Sequence, residues 1–328
     1  LPIFNLNNQL PMKLIMLIAS MFSFFSVTFA QFTYEHLELD TAGAYQFKDL
    51  KIIPIRAKPS FAQANEQAAS LNNAMSLRQA LATNQAAVME RTNRKGRIRQ
   101  TVNTLSFENF SDQPIFLMSG EVITGGMQDR VIARDMVVPP RSGRVDIPVF
   151  CVEKGRWTSK TKKDKFQNYH EASMHLRQVI DQEQNQKAVW KEIAKENRRD
   201  RIRTNTEAYT AHANSPEYIQ RENDYLTFFN EKFMEKENIV GIVGVTGGVV
   251  MGCDIFVSPD LFYREYNNLI YAYIDEALTF GMPVTMTNKQ VKQYVDNLLT
   301  NSVMQERFVR QNGKMFKQGD QIIHITTY

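Results

Sequence analysis

Cysteine is almost missing from this chain: Cys151 and Cys253 are the only two in 328 residues. No disulfide framework and no cysteine-rich zinc site can be built from that supply. Both lie in stretches that read as strands, where two buried unpaired thiols are expected, although an oxidising compartment would permit a bridge. A decisive excess of charge is missing too. Lys and Arg number 39 against 35 Asp and Glu, a formal net charge of +4, which does not mark a nucleic-acid binder. Histidine is sparse, and His36, His170, His175, His212 and His324 are scattered. His170 and His175 fall off a single helical face, and HEASMH is not the HExxH spacing that sets two imidazoles over one zinc, so no metal site is expected. Gly241, Gly244, Gly247 and Gly248 match neither the dinucleotide fingerprint nor the P-loop, and a strand rather than a helix follows them, which removes the phosphate-loop reading. No repeat or low-complexity tract appears.

What is present suffices for a substantial core: 43% hydrophobic and 23% charged residues read as a globular chain. One long apolar stretch stands near the amino terminus. Lys13 is followed by Leu14 to Phe29 and the segment ends Thr28-Phe29-Ala30. That is the basic start, apolar centre and small-residue site of a secretory signal, with cleavage expected before Gln31. Leu1 to Pro11 then reads as read-through upstream of a start at Met12. An uncleaved membrane anchor is the rival, because the stretch nearly reaches spanning length. No cysteine stands directly after it, which leaves no lipoprotein site. The expected address is periplasmic or secreted, with membrane contact only through an uncleaved signal.

The unusual chemistry is concentrated between Ser119 and Trp157. Gly125-Gly126 separates two runs, Ile115 to Thr124 and Met127 to Val138. Such a pair signals a two-residue hairpin, since glycine takes positive φ without strain. Pro139-Pro140-Arg141-Ser142-Gly143 turns the chain into a third strand, Arg144 to Glu153. A turn at the glycine pair sets a register in which Thr124 opposes Met127, Ile123 opposes Gln128, Val122 opposes Asp129 and Glu121 opposes Arg130. The last pair would contribute roughly 0.2–1 kcal/mol. Gln128, Asp129, Arg130, Arg134 and Asp135 alternate with Val131, Ile132 and Ala133, so neither face of the second strand is purely apolar. Carried into the third strand, the register sets Glu153 beside Asp129, on the face opposite Glu121 and Arg130. Two neighbouring carboxylates can divide acid and base work when their environments separate their pKa values.

Glu121, Gln128, Asp129, Arg130, Glu153, Arg156 and Trp157 are therefore the candidate ligand-binding residues. Arg130 and Arg156 would grip an anionic or polar group, Trp157 would stack a ring or sugar face, and Glu121 or Glu153 would move a proton. Ordinary ion pairs on a solvated face are the alternative for the same residues. The strings GEVITGGMQDR from Gly120, VPP from Val138, PVFCVEKGRW from Pro148 and GCDIFVSPDLF from Gly252 resemble the domain named for its association with ADP-ribosylglycohydrolase and rhodanese-phosphatase proteins. The resemblance runs from about Leu50 to the carboxyl terminus and puts the family pattern on Glu121, Gln128, Arg130, Glu153, Arg156 and Trp157. Its name records gene association, which implies a link to NAD or ADP-ribose metabolism and no established activity. Export argues against that link, because NAD metabolism is chiefly intracellular.

Around the meander, Tyr34 to Asp40, Phe47 to Ala57 and Thr101 to Phe110 read as strands, and Ser60 to Asn73 as a loop or short surface helix. Ser76 and Gln79 form a capping box for a helix to Thr83. Arg91 to Arg99 reads as a solvated basic loop and Ser159 to Lys165 as a basic linker. Tyr169 to Arg203 and Pro216 to Lys236 read as helical, with Val189, Trp190, Ile193 and Ala194 as a core stripe. Ile239 to Val245 and Val249 to Val257 make a buried hairpin. Ser258-Pro259-Asp260 starts a helix that Gly281 stops, and Thr287 with Gln290 opens another. Glu306 to Arg310 and Gln321 to Thr327 close the chain as a last hairpin. The sum is an α+β fold, an antiparallel meander and hairpin core with helices packed on one side or end, in a single domain over 31–328. The expected function is an exported small-ligand-binding protein, a hydrolase if it turns its ligand over, for a nucleotide-sugar, an ADP-ribose-like molecule or a glycan. A non-catalytic envelope interaction or structural protein is the alternative. The sequence names no cofactor and no oligomeric state.

Overall fold

Local signals set where each element begins. The computed structural model describes residues 31–91, 103–156, 165–233 and 237–328. The first part holds β1 (Leu37–Leu39), β2 (Tyr45–Phe47), β3 (Leu50–Ala57), α1 (Ser60–Ala64), β4 (Met75–Ser76), α2 (Leu77–Ala82) and β5 (Ala86–Glu90). The meander holds β6 (Thr104–Asn109), β7 (Ile115–Leu117), β8 (Glu121–Thr124), β9 (Arg130–Ile132), β10 (Met136–Val138) and β11 (Gly143–Cys151). Next come β12 (Gln167–Glu171), α3 (Met174–Glu183), α4 (Gln186–Arg199), α5 (Pro216–Phe233), β13 (Ile239–Thr246) and β14 (Val249–Phe256). The chain closes on α6 (Pro259–Phe280), α7 (Asn288–Leu299), α8 (Ser302–Asn312), β15 (Gly313–Gln318) and β16 (Gln321–Thr327).

The architecture is α+β. One sheet runs β1-β3-β13-β14-β16-β15 with β2 also on β3, a second runs β12-β8-β9-β11-β6-β5, and β10-β7-β4 form a third. Strand β13 reads IVGIVGVT and is buried along its whole length, as a strand covered on both faces must be. Helix α6 covers it. Ser258 Oγ accepts from the Leu261 N–H at 3.2 Å, Pro259 fills the first turn, and the helix ends at Gly281. A Cβ on Gly244 would stand 2.2 Å from the Tyr273 ring, so the glycine lets helix and strand approach. Each Leu, Ile or Phe in this layer contributes about 1.5–3 kcal/mol by leaving water.

Several expected elements divide differently. Ile115 to Thr124 breaks at Gly120, and Met127 to Val138 breaks at Ala133–Asp135, so β7 and β10 pair in their own sheet while β8 and β9 pair in another. Tyr169 to Glu171 belong to a strand rather than a helix, and the helix begins at Met174, where Ser173 Oγ accepts from the Leu176 N–H at 3.2 Å. Glu306 to Arg310 are helical, and the final hairpin is β15 with β16. Cys151 and Cys253 are both buried and unpaired. Residues 92–99 of the basic loop and 159–164 of the linker lie outside the described residues.

A buried ionic chain ties the three sheets together. Arg177 on α3 grips Asp254 on β14 with two bonds of 3.0 and 2.8 Å and meets Glu171 on β12 at 3.1 Å. His324 on β16 stands between Asp254 at 3.0 Å and Asp135 at 2.9 Å, and Asp135 leads into β10. Tyr273 donates to Asp254 at 2.6 Å. Burial resists ionising Asp254, but Arg177 and His324 outweigh it and hold the carboxyl well below its usual range. Burial likewise opposes charging His324, and Asp135 and Asp254 reverse that, raising its pKa. Asp254→Ala strands a buried guanidinium, an imidazolium and a phenol. Urea denaturation should show a loss of about 3–5 kcal/mol; a loss under 1 kcal/mol would show that the chain does not bear on stability.

Candidate functional site

The glycine pair does not make a two-residue turn. Ile123 pairs with Arg130 and Val122 with Val131, so the connection spans residues 124–129. Side chains rather than a ladder satisfy its backbone. Asp129 accepts from the Gly125 N–H at 3.0 Å, Glu90 accepts from the Met127 N–H at 2.9 Å, and Arg156 donates to the Gly126 carbonyl at 3.2 Å. Gly125 and Gly126 adopt φ of 124° and 54°, which the longer loop needs as much as a tight turn would. These long-range bonds overrule the local turn signal and move the register by two residues.

Glu121 and Arg130 therefore do not pair. Glu121 accepts from the Met118 N–H at 2.8 Å and from Asn268 at 3.1 Å. Arg130 donates to the Gln128 carbonyl at 2.8 Å and stands 4.0 Å from Glu90. Both side chains are fully buried, so Arg130 cannot grip a ligand from solvent. The other candidates do come together. Arg156 bridges Asp129 at 2.7 Å and Glu153 at 2.5 Å, Glu153 takes the Asp129 N–H at 3.3 Å, and Gln128 donates to the Glu153 carbonyl at 2.8 Å. Trp157 lies outside the described residues. Burial raises the Asp129 pKa, while the Gly125 N–H, Arg156 and Thr210 oppose it. The cluster is a clamp on its own loop, its partners mutually satisfied. Among the described candidates, Glu121 and Arg130 stand apart from the group that Gln128, Asp129, Glu153 and Arg156 form.

A concavity exists elsewhere. A cleft of about 500 Å³ opens where α2, α5 and α6 meet, walled by Arg78, Asn230, Tyr263, Arg264, Asn267 and Tyr271 among others. Tyr271 stacks on the His170 ring, centroids 4.4 Å apart and planes 4° from parallel. His170 faces Glu222 on α5 at 4.0 Å and Asp275 on α6 at 4.0 Å. Tyr209 and Tyr218 donate to Asp275 at 2.8 and 3.1 Å. Next to Tyr209, Thr210 donates to Asp129 at 3.0 Å, so two neighbouring residues join the clamp to the cluster. Burial pushes His170 down to about 3 and Glu222 up to about 7, the latter against a bond from Asp275. Burial also raises Asp275, with Glu222 adding to the effect. A neutral imidazole beside two carboxyls can bind a cation or relay a proton. No spacing could reveal this trio, drawn from one strand and two helices. The hint in the sequence is the acidic pair Asp275-Glu276 inside the otherwise apolar stretch Ile270 to Leu278.

The profile of the ARG and Rhodanese-Phosphatase-superfamily-associated Protein domain matches residues 38–326. The chain belongs to that family. No curated protein and no solved structure matches it. The match spans both the loop clamp and the cleft wall.

Glu121 gives this family domain a pH signature. Burial pushes it up to about 8; the Met118 N–H opposes the shift, Asp135 adds to it and Asn268 opposes it. Folded Glu121 thus keeps its proton where the unfolded chain has lost it. Its contribution is complete below the ordinary carboxylate range and is lost as pH rises to about 8. Glu171 and Glu265 are raised in the same direction, chiefly by burial. Glu121→Gln imitates the protonated form, and Asn268 can turn its partnerless Oδ1 to receive the new amide. Denaturation midpoints should fall across that window more steeply for wild type than for Glu121→Gln; equal slopes would show that Glu121 is ionised when folded.

Proposed function

We propose that this chain is an exported small-ligand protein whose polar or anionic ligand seats in the cleft between α2, α5 and α6. Hydrolysis, where it occurs, falls to His170, Glu222 and Asp275. The observation that carries this is the meeting of cleft and cluster: Tyr271 lines one and stacks on the other. Glu222 stands one turn before Leu226 and two before Asn230, both in the cleft wall, and neighbours four apart share a helix face. Arg78 and Arg264 give the wall positive charge, and Tyr263 and Tyr271 give it flat rings. Asn230 Oδ1 is buried without a partner, a group that a bound hydroxyl or amide would satisfy. If the first term of the family's description stands for ADP-ribosylglycohydrolase, a nucleotide-sugar or ADP-ribose-like ligand follows; export favours a glycan.

Thermal-shift titration against nucleotides, ADP-ribose and oligosaccharides tests the proposal. One class should raise the melting temperature. Arg78→Ala should weaken that ligand about tenfold or more, the size of a lost charge-assisted contact, without changing the melting temperature of the unliganded protein, because Arg78 is exposed. No shift from any class would turn the reading to a non-catalytic envelope role, which the closed clamp would suit.

A further inference from the structure

We infer that His170, Glu222 and Asp275 hold one divalent transition cation of the manganese or zinc kind, an inference that rests on the cleft reading for its part in turnover. One donor atom from each of the three lies within 4.8 Å of the others. The bond of 2.8 Å between His170 Nδ1 and the Glu171 carbonyl places the ring proton on Nδ1, since a carbonyl only accepts. The lone pair is then on Nε2, and it faces Glu222 Oε1 at 4.0 Å, too far for a hydrogen bond. Among the described residues Nε2 makes no other, although the imidazole is only 7% exposed. An unpartnered ligand nitrogen aimed at a carboxylate across such a gap leaves room for an ion.

The carboxyls make the same case from the other side. Glu222 and Asp275 bring carboxyl oxygens within 4.8 Å of each other and of the imidazole, and a shared proton or a cation relieves the repulsion of two carboxylates so placed. Both oxygens of Asp275 already accept phenolic protons, from Tyr218 on Oδ1 and Tyr209 on Oδ2. Outer bonds of this type orient metal ligands. Tyr271 on one side and Tyr169, at 3.8 Å between centroids, hold the His170 ring. One divalent ion against two carboxylates leaves no net charge in a buried place. Ligand bonds of about 2.0–2.2 Å set donor atoms roughly 3.0–3.5 Å apart, against 4.0 Å from Nε2 to Glu222 and up to 4.8 Å within the trio, so closure requires shifts of about 1–2 Å. Glu222, 14% exposed at its side chain, has the freedom to move. One nitrogen and two oxygens suit manganese or zinc and are too few for calcium, which takes about 6–8 oxygens. Three protein ligands leave a coordination position for water.

Calorimetric titration of the chelator-treated full chain with manganese and with zinc, calcium serving as comparison, tests the site. Expected is one manganese or zinc ion per chain, bound at least tenfold more tightly than calcium. Glu222→Gln and His170→Asn should each weaken the ion tenfold or more, and Glu222→Asp, which keeps the charge, should fall between. Asp275 is left intact because it anchors Tyr209 and Tyr218. Ion-free melting temperatures equal to that of ion-free wild type separate lost ligation from lost folding. No stoichiometric uptake by wild type, or unchanged affinity in Glu222→Gln, overturns the inference. Repeating the ligand panel with and without ion separates the two readings. A ligand shift without ion uptake leaves the cleft and removes the metal; ion uptake without a shift from any ligand class leaves the metal and removes the cleft reading.

Discussion

Everything else in the fold is arranged around a charge that cannot reach water. Arg177 is buried at 1% exposure against Asp254 at 0%. An ion pair in such surroundings persists only if nearly every donor and acceptor around it is matched. The matching groups come from far apart: Glu171 from β12, His324 from β16, Asp135 from the break before β10, and Lys314 from β15, 3.6 Å from Asp135. Because the members of this chain of contacts stand in two sheets and at the entry to the third, together they tie the sheets to one another. Hydrophobic burial supplies most of the free energy here, yet it is non-directional. The ionic chain supplies direction.

That constraint positions the candidate site through strand alternation. Successive side chains of a strand point to opposite faces, so Glu171 on β12 reaches the Arg177 chain while His170, one residue earlier, reaches Glu222 and Asp275. The strand that the ionic chain pins is the strand that carries the imidazole. Tyr209 and Thr210 repeat the device, one touching Asp275 and the other Asp129. Sequence neighbours thus couple the inner ion chain, the loop clamp and the cleft without a side chain that belongs to all three.

How much of this was legible follows from how local each signal is. The Ser258 and Thr287 caps act within three residues of themselves, and the structure has both, Thr287 with Gln290 as a complete capping box. The apolar hairpin of β13 and β14 was equally readable, because β-branched runs around a glycine turn need no distant partner. The β8–β9 register was not readable. It depends on Arg156 and Glu90, which lie 26 or more residues outside the turn they hold. Glu153 nonetheless stands against Asp129 as that register implied, because the extra loop residues lengthen the turn without moving Asp129 away from the end of β11. The helix assigned to Tyr169–Glu171 failed for a similar reason: polar residues there pair with β8, and edge pairing leaves no trace in hydropathy.

A dense string of Glu, Gln, Asp and Arg invites a catalytic reading, yet in this molecule the string closes a six-residue connection. The physical logic is that a loop buried against neighbouring elements must have its N–H and C=O groups satisfied. Carboxylates and guanidinium groups do that more firmly than water at a partly exposed rim. Each of Asp129, Glu153 and Arg156 spends its hydrogen-bonding capacity inside the clamp, which leaves little to offer a substrate. The opposite holds at His170, Glu222 and Asp275. There the ring nitrogen facing Glu222 stands 4.0 Å from that carboxylate, and all three donor atoms lie within 4.8 Å of one another without closing. Donors and acceptors that meet one another, as in the clamp, hold a loop; a ring nitrogen and two carboxyls that stand a few ångströms apart leave a gap that a proton or an ion can fill.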